Sequence, residues 1–226
     1  MQLKKKIFNV LKPNKTYYYA YMVELKTKQD LHLARKFFHI CTGMMAMGVT
    51  YYFSFTGKQA AFIAGGIGII GLLNELLRFK FSKINQIFLF IVKPFARQEE
   101  THSFSGLTYY CFGVALCFYF YPWPIANLAI YYLIFADPIA SLCGQIWGQK
   151  KIIKNKSIIG SLAFATICFL INIIYLNIND NPLLNNSMFL ILSPLVGAFS
   201  EFLVIKDDNL SIPLISGLGL YLLSLI

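Results

Sequence analysis

The sequence predicts an all-α polytopic integral membrane protein, with about seven transmembrane helices behind an N-terminal interfacial helix, and three observations predict it. Hydrophobic residues make up 57% of the 226 and charged residues only 13%, at a mean hydropathy of +0.59. That balance leaves too little polar surface for a soluble globule. Apolar runs near the ~20 residues that cross a ~30 Å hydrocarbon core recur along the chain, and basic residues gather on alternate connections between them, as in a chain threaded through a bilayer.

Taken in order, residues 1–36 are a basic amphipathic segment with nine Lys or Arg among Tyr17, Tyr18, Tyr19 and Tyr21. Aromatic and basic residues mixed in this way suit a helix lying on an anionic leaflet. Mixed polar sequence follows the basic patch, which is not the pattern of a cleavable signal. Residues 37–226 read as one transmembrane domain with spans at 37–55, 59–77, 104–121, 123–144, 158–178, 187–205 and 212–226. The segment 84–95 is placed in the interface, because a crossing there would split a basic loop. Cys41, Cys111, Cys117, Cys143 and Cys168 are scattered through apolar runs without metal-ligand spacing, and read as small core residues.

A net charge of +10 raises nucleic-acid binding, and its distribution argues against it. With a cytoplasmic N-terminus and seven spans, nineteen Lys or Arg fall on the cytoplasmic side and only Lys58 on the other. Basicity therefore reports topology, with the C-terminus on the far side, and nucleic acid is not an expected partner. The same threading puts the unusual polar residues at the cytoplasmic face, where a soluble donor and a membrane lipid can meet.

The richest stretch is DPIASLCGQIWGQKKIIKNKSIIGS, residues 137–161. Asp137 is a carboxylate inside an apolar run, costly enough in hydrocarbon to be a functional candidate. Pro138 kinks the helix and frees a carbonyl. Asp137, Ser141, Gly144 and Gly148 follow at helical spacing and share one face. Lys150 and its neighbours make a basic loop, and Lys156, Ser157, Gly160 and Ser161 stand where that loop becomes a helix. A helix start offers unpaired N–H groups to a phosphate, and Gly160 and Lys156 add close approach and charge. Ordinary capping by Ser157 explains the same residues, and the glycine spacing of a Walker A loop is missing.

Glu201, Asp207 and Asp208, with Asn209 adjacent, supply the hard oxygen donors that hold Mg²⁺ together with substrate phosphates. Asp207 and Asp208 also fit a solvated turn, which leaves Glu201 in its apolar run unexplained. Glu75 and Arg78 are three apart and suit an ion pair. Arg35, His39 and Gly43 share a face at the mouth of the first span.

Six short motifs together carry a family resemblance: RKFFHICTG at 35–43, NELLR at 74–78, SGLTYYCFG at 105–113, ADPIASLCGQIWG at 136–148, NKSIIGS at 155–161 and SEFLVIKDDNLSIPL at 200–214. In this order they resemble the CTP-dependent lipid kinases, the family of dolichol kinases, phytol and farnesol kinases and the yeast-type diacylglycerol kinase. The resemblance implies transfer of the terminal phosphate of CTP, or another nucleoside triphosphate, to the hydroxyl of a membrane lipid alcohol, with Mg²⁺ as cofactor. It implies that Asp137 with Asp208, and Asp207 beside it, would hold the metal. Lys156, Ser157, Gly160 and Ser161 would line the triphosphate, with Lys150, Gly144 and Gly148 in the same region. Glu75 or Glu201 would accept the hydroxyl proton, and Arg35, His39, Arg78 and Asn209 would hold the headgroup or the fold. The chain departs from the family pattern at Gln145 and Gln149, where a basic residue often stands.

Two other readings compete. A phosphatidate cytidylyltransferase shares the nucleotide, but its long C-terminal signature of Lys, His, Gly-Gly and paired Asp is not found. A transporter or assembly factor would place charge near the midplane with access from both sides, whereas polarity here gathers at one face. Oligomeric state is not encoded in these features.

Overall fold

A computed structural model describes residues 31–148, 151–153, 156–203 and 206–226; residues 1–30 of the N-terminal interfacial segment expected over 1–36, and Lys150, lie outside the described residues. The architecture is all-helical: α1 (Leu33–Tyr52), α2 (Gly57–Lys80), α3 (Ser82–Val92), α4 (Gly106–Phe120), α5 (Trp123–Ile146), α6 (Ile158–Ile178), α7 (Ser187–Ser200) and α8 (Asp208–Leu223). A minimal antiparallel hairpin, Lys151–Ile153 with Lys156–Ser157, joins α5 to α6.

Each apolar run falls on one helix, and local chemistry sets the starts. Thr56 and Gln59 close a reciprocal capping box on α2, and the side chains of Ser157, Asn186 and Asp207 cap α6, α7 and α8. Length separates the helices. By length and composition α2, α5 and α6 can cross a membrane, which makes this an integral membrane protein. Helices α4, α7 and α8, of 15, 14 and 16 residues, reach only about 21–24 Å at 1.5 Å per residue.

Helix α5 is the hub. Of its apolar window 67% is buried, against 22% for α2 and 28% for α6, so α5 is enclosed by protein while α2 and α6 turn apolar faces outward. It packs on α6 and α8, and its middle meets α1; α8 in turn packs on α4 and α7, and α2 lies outside against α4. Since lipid tails are as apolar as Leu, the α2–α4 contact needs close approach, not burial. Gly65, Gly68 and Gly71 supply it: a Cβ on each would stand 3.7, 3.3 and 3.1 Å from Ala115, Cys111 and Thr108 respectively. Buried polar side chains stitch the hub: Tyr132 donates to Asn172 (2.6 Å), Asn172 to Ser193 (2.7 Å), and Asn127 to Tyr175 (2.9 Å).

Residues Tyr132–Ala136 of α5 form a π-helical segment, in which the Asp137 N–H reaches back to the Tyr132 carbonyl. Such segments re-aim the residues beyond them and recur at functional sites. Here the residue re-aimed is Asp137.

Candidate active site

A cleft of about 190 Å³ lies where α1, the 95–100 connection, the start of α4, the kinked half of α5 and the start of α8 meet. Its apolar wall is Phe38, Phe88, Val92 and Phe95, with Phe38 and Phe95 stacked at 4.4 Å. Its polar floor holds Asp137, Asp207, Asp208 and Asn209, and Arg35, Lys36, His39 and Arg97 face them. Residues more than 170 positions apart in sequence thus share one small space.

Each polar group is held by its element. On α1, Arg35 donates to the Phe95 carbonyl at 2.9 Å and pairs with Glu100 at 2.7 Å; Lys36 donates to Gln145 at 2.6 Å. His39 Nε2 lies 3.0 Å from the Leu133 carbonyl, and its ring meets Tyr110 edge-on. A carbonyl can only accept, so Nε2 carries the proton and Nδ1 is left unprotonated in the neutral ring. On α8, Asp207 accepts from Asn209 N–H at 3.0 Å, and the Asn209 side chain donates to the Gly106 carbonyl at 3.1 Å, locking α8 to α4. Among the described residues nothing hydrogen-bonds the Asp137 carboxylate, and the buried Oδ1 of Asp208 and Nε of Arg97 have no partner. Burial raises the Asp207 carboxyl above its ordinary value despite the Asn209 N–H, and burial lowers the Arg97 guanidinium, with Arg35 adding to it.

Beside the cleft, and sharing Asp208 with it, lies an ion cluster. Lys156 Nζ is 3.1 Å from Glu201 and 3.3 Å from Asp208, and Ser161 donates to Glu201 at 3.3 Å. Burial acts to lower the Lys156 ammonium, but Asp208, Asp137 and Glu201 together outweigh it and the net shift is upward.

The sequence candidates therefore divide. Arg35, His39, Asp137, Asp207, Asp208 and Asn209 line the cleft; Lys156, Ser161 and Glu201 form the adjoining cluster. Ser157, Gly144, Gly148 and Gly160 do not line it. They make the α5–α6 contact: Ser157 caps Gly160 N–H at 3.1 Å, a Cβ on Gly144 would stand 2.8 Å from the Ser157 hydroxyl, and one on Gly148 would collide with it. Glu75 and Arg78 stand behind the cleft wall, 2% and 1% exposed. Arg78 Nε donates to Glu75 at 2.6 Å, and the other Glu75 oxygen accepts from Ser105 N–H at 3.1 Å. Arg97, Lys36 and Gln145 line the cleft without having been sequence candidates. For Arg97 the charge was visible, but in a basic loop it read as topology.

The cleft joins a cationic wall to a carboxylate floor beside an apolar face, an arrangement that suits a phosphate-bearing group and a lipid together. No protein-family profile matches the chain, and no solved structure matches it. Curated proteins do. The chain is 30% identical over 170 residues to CTP-dependent diacylglycerol kinase 1 of Schizosaccharomyces pombe, covering 70% of this chain and 78% of that one. It is 33% identical to probable phytol kinase 3, chloroplastic, of Glycine max, over 83% of this chain and 61% of the relative. It is 31% identical to the chloroplastic farnesol kinase of Arabidopsis thaliana, over 86% and 66%. The chain belongs to the lipid-alcohol kinase family of the CTP-dependent diacylglycerol kinases and the phytol and farnesol kinases.

Proposed function

We propose that this protein transfers the terminal phosphoryl group of CTP to the hydroxyl of a membrane lipid alcohol, diacylglycerol or an isoprenoid alcohol. The observation that carries the reading is the cleft itself: carboxylates of α5 and α8 face cations of α1 and the 95–100 connection, beside an apolar wall. In the transfer, the hydroxyl oxygen forms a bond to the terminal phosphorus. The bond from that phosphorus to the bridging oxygen breaks, CDP leaves with the electron pair, and the hydroxyl proton goes to a cleft carboxylate.

Phosphoryl transfer asks a protein mainly for positioning and for charge around the moving group. Asp137 and Asp208 are the candidates to hold Mg²⁺, and the donor set fits. Both are hard oxygen ligands on one cleft, and Asp208 has a buried oxygen without a partner. Among the described residues no three acidic, His or Cys side chains converge as a cage, which suits an ion completed by substrate phosphates. When bound, Mg²⁺ would neutralise phosphate charge. Asp207, its carboxyl raised by burial, is the floor carboxylate left to take the hydroxyl proton. Lys156, Ser161 and Glu201 would form the outer edge of the triphosphate site, and Phe38, Phe88, Val92 and Phe95 would face the lipid. The cleft is smaller than the ~300–1,000 Å³ of sites that enclose a drug-sized ligand, so the cytidine would lie outside it.

The full topology belongs to the same proposal: seven spans in one transmembrane domain over 37–226, an interfacial segment over 1–36, a cytoplasmic N-terminus, a far-side C-terminus and a cytoplasm-facing site. The nineteen-to-one distribution of Lys and Arg supports it.

The test is transfer by purified protein in detergent with Mg²⁺, using γ-labelled CTP or ATP with diacylglycerol, phytol, farnesol and a long polyprenol. Label in one lipid, abolished in a folded Asp137→Asn variant, is expected. Incorporation of α-labelled CTP into phosphatidate instead would replace the kinase reading with cytidylyl transfer.

A further inference from the structure

We infer that Arg97 binds the phosphoryl group in flight: its guanidinium contacts the terminal phosphate of the donor and keeps that contact as the group becomes a lipid phosphate. The inference rests on the kinase reading above and adds a residue that the sequence motifs do not contain.

Three observations lead to it. The first is an unmet donor. Arg97 Nε is fully buried and, among the described residues, has no hydrogen-bond partner. A buried donor left unpaired is costly, and more so when charged, so a guanidinium kept in that state calls for a missing acceptor. The other two arginines at this end of the molecule are spent: Arg35 on Glu100 and the Phe95 carbonyl, Arg78 on Glu75, Asn85 and two carbonyls. Among the described residues Arg97 has no ion-pair partner, whereas Arg35 and Arg78 each have one and Lys156 has two.

The second is presentation from a fixed backbone. On one side of Arg97, Ala96 N–H returns to Val92 at 2.8 Å, and Phe95 is tied by its carbonyl to Arg35 and by its ring to Phe38. On the other, Glu100 N–H bonds the Arg97 carbonyl at 3.0 Å, the Glu100 side chain pairs with Arg35, and its carbonyl accepts from Arg78. The backbone that carries Arg97 is therefore fixed before any ligand arrives, which limits the reorganisation a donor must undergo to meet a transition state.

The third is position and charge. Arg97 lines the cleft with Asp137, Asp207 and Asp208 and follows directly on the apolar wall of Phe88, Val92 and Phe95. A triphosphate entering beside three carboxylates needs cations around its terminal group. Lys156 is held by Glu201 and Asp208, and Arg35 by Glu100. Lys36 is tied to Gln145 at the α5 side of the cleft. Among the described residues Arg97 is the guanidinium of the cleft without an ion pair, it stands where the nucleotide side meets the lipid side, and its planar fork matches phosphate oxygens in pairs.

The test compares full-length wild type, Arg97→Lys and Arg97→Ala in the CTP-dependent transfer assay. The readings are kcat, KM for CTP, and the response of Arg97→Ala to millimolar guanidinium, which fills a missing side-chain volume only where the guanidinium itself acts. Expected are a fall in kcat of about 100-fold or more in Arg97→Ala, a CTP KM within a few-fold of wild type, partial activity in Arg97→Lys, and guanidinium rescue confined to Arg97→Ala. Normal turnover in Arg97→Ala, or a loss that guanidinium does not relieve, overturns the inference while leaving the kinase reading standing. Absence of transfer by the wild-type protein overturns both.

Discussion

Replacing Glu75 by alanine would strand one of the most deeply enclosed charges in this protein. Arg78 is 1% exposed and Glu75 2%, so water can replace neither partner and screening does little for the survivor. The remaining Arg78 contacts are Asn85 Oδ1 at 3.0 Å, the carbonyls of Glu100 at 2.9 Å and Ser103 at 2.6 Å, and the Phe79 and Phe88 rings at 4.4 and 4.7 Å. These satisfy N–H groups but bring no negative charge. Removing one member of a buried pair costs about 3–5 kcal/mol, or roughly two to three and a half decades in the folding equilibrium at ~1.4 kcal/mol per decade. The assay is detergent-titration unfolding of wild type, Glu75→Ala, Glu75→Gln and the double variant Glu75→Leu with Arg78→Met. Both single variants should lose stability, Gln less because it still accepts a bond, and the double variant should be less destabilised than Glu75→Ala because it leaves no charge unpaired. The folded fraction of Glu75→Gln should keep its transfer activity. A Glu75→Gln protein of wild-type stability and no turnover would refute this reasoning and give Glu75 a direct part in the chemistry.

Three further outcomes follow from the same structure. Asp207 is raised by burial, so its protonated form favours folding: that contribution is full below the unfolded pKa near ~3.9 and lost as pH rises through the higher folded value. Since Asn caps a helix as well as Asp, Asp207→Asn should make the metal-free protein more resistant to unfolding at neutral pH, with the advantage vanishing toward pH 4; an equal deficit at both would contradict it. A Cβ at Gly113 would collide with the Asn209 carbonyl and sit 3.1 Å from Pro213, so Gly113→Ala should cost about 1–3 kcal/mol and displace Asp208 and Asn209, whereas Gly66→Ala, with nothing within 4 Å, should be neutral in both unfolding and transfer. Cysteine-accessibility labelling at the two ends should place them on opposite sides of the membrane, and labelling from one side alone would remove a span from the topology.

What could be read in the sequence was whatever depends on neighbours along the chain. The apolar runs locate the helices because hydropathy is a local property, and the starts of α6 and α7 coincide with residues 158 and 187 because Ser157 and Asn186 are local caps. What could not be read depends on partners brought by folding. Arg78 has Glu75 three residues before it, so its ion pair is legible in the sequence and the fold bears it out; that Asn85 and two carbonyls complete its acceptors while Arg97 keeps a bare Nε is set only by the fold. Glycines 144 and 148 can serve equally to admit a phosphate or to admit Ser157, and the α5–α6 contact is filled by Ser157.

The clearest case is the kink at Asp137. From the sequence, Pro138 must free a carbonyl, because it has no N–H to give. In the π register that Asp137 sets by reaching back five residues to Tyr132, the carbonyl freed is that of Leu133. An acceptor left bare in a buried hub would be costly, and His39, 94 positions away, supplies the donor at 3.0 Å. Thus the proline that bends α5 also creates the bond that fixes α1 against it, and Arg35 and Lys36 ride on α1 into the cleft with His39. The carboxylate side and the cationic side of the cleft are coupled through that backbone carbonyl, reinforced by the Lys36–Gln145 bond from α1 to α5. The sequence shows that a carbonyl is released; the fold determines what claims it, and that claim is what assembles the site.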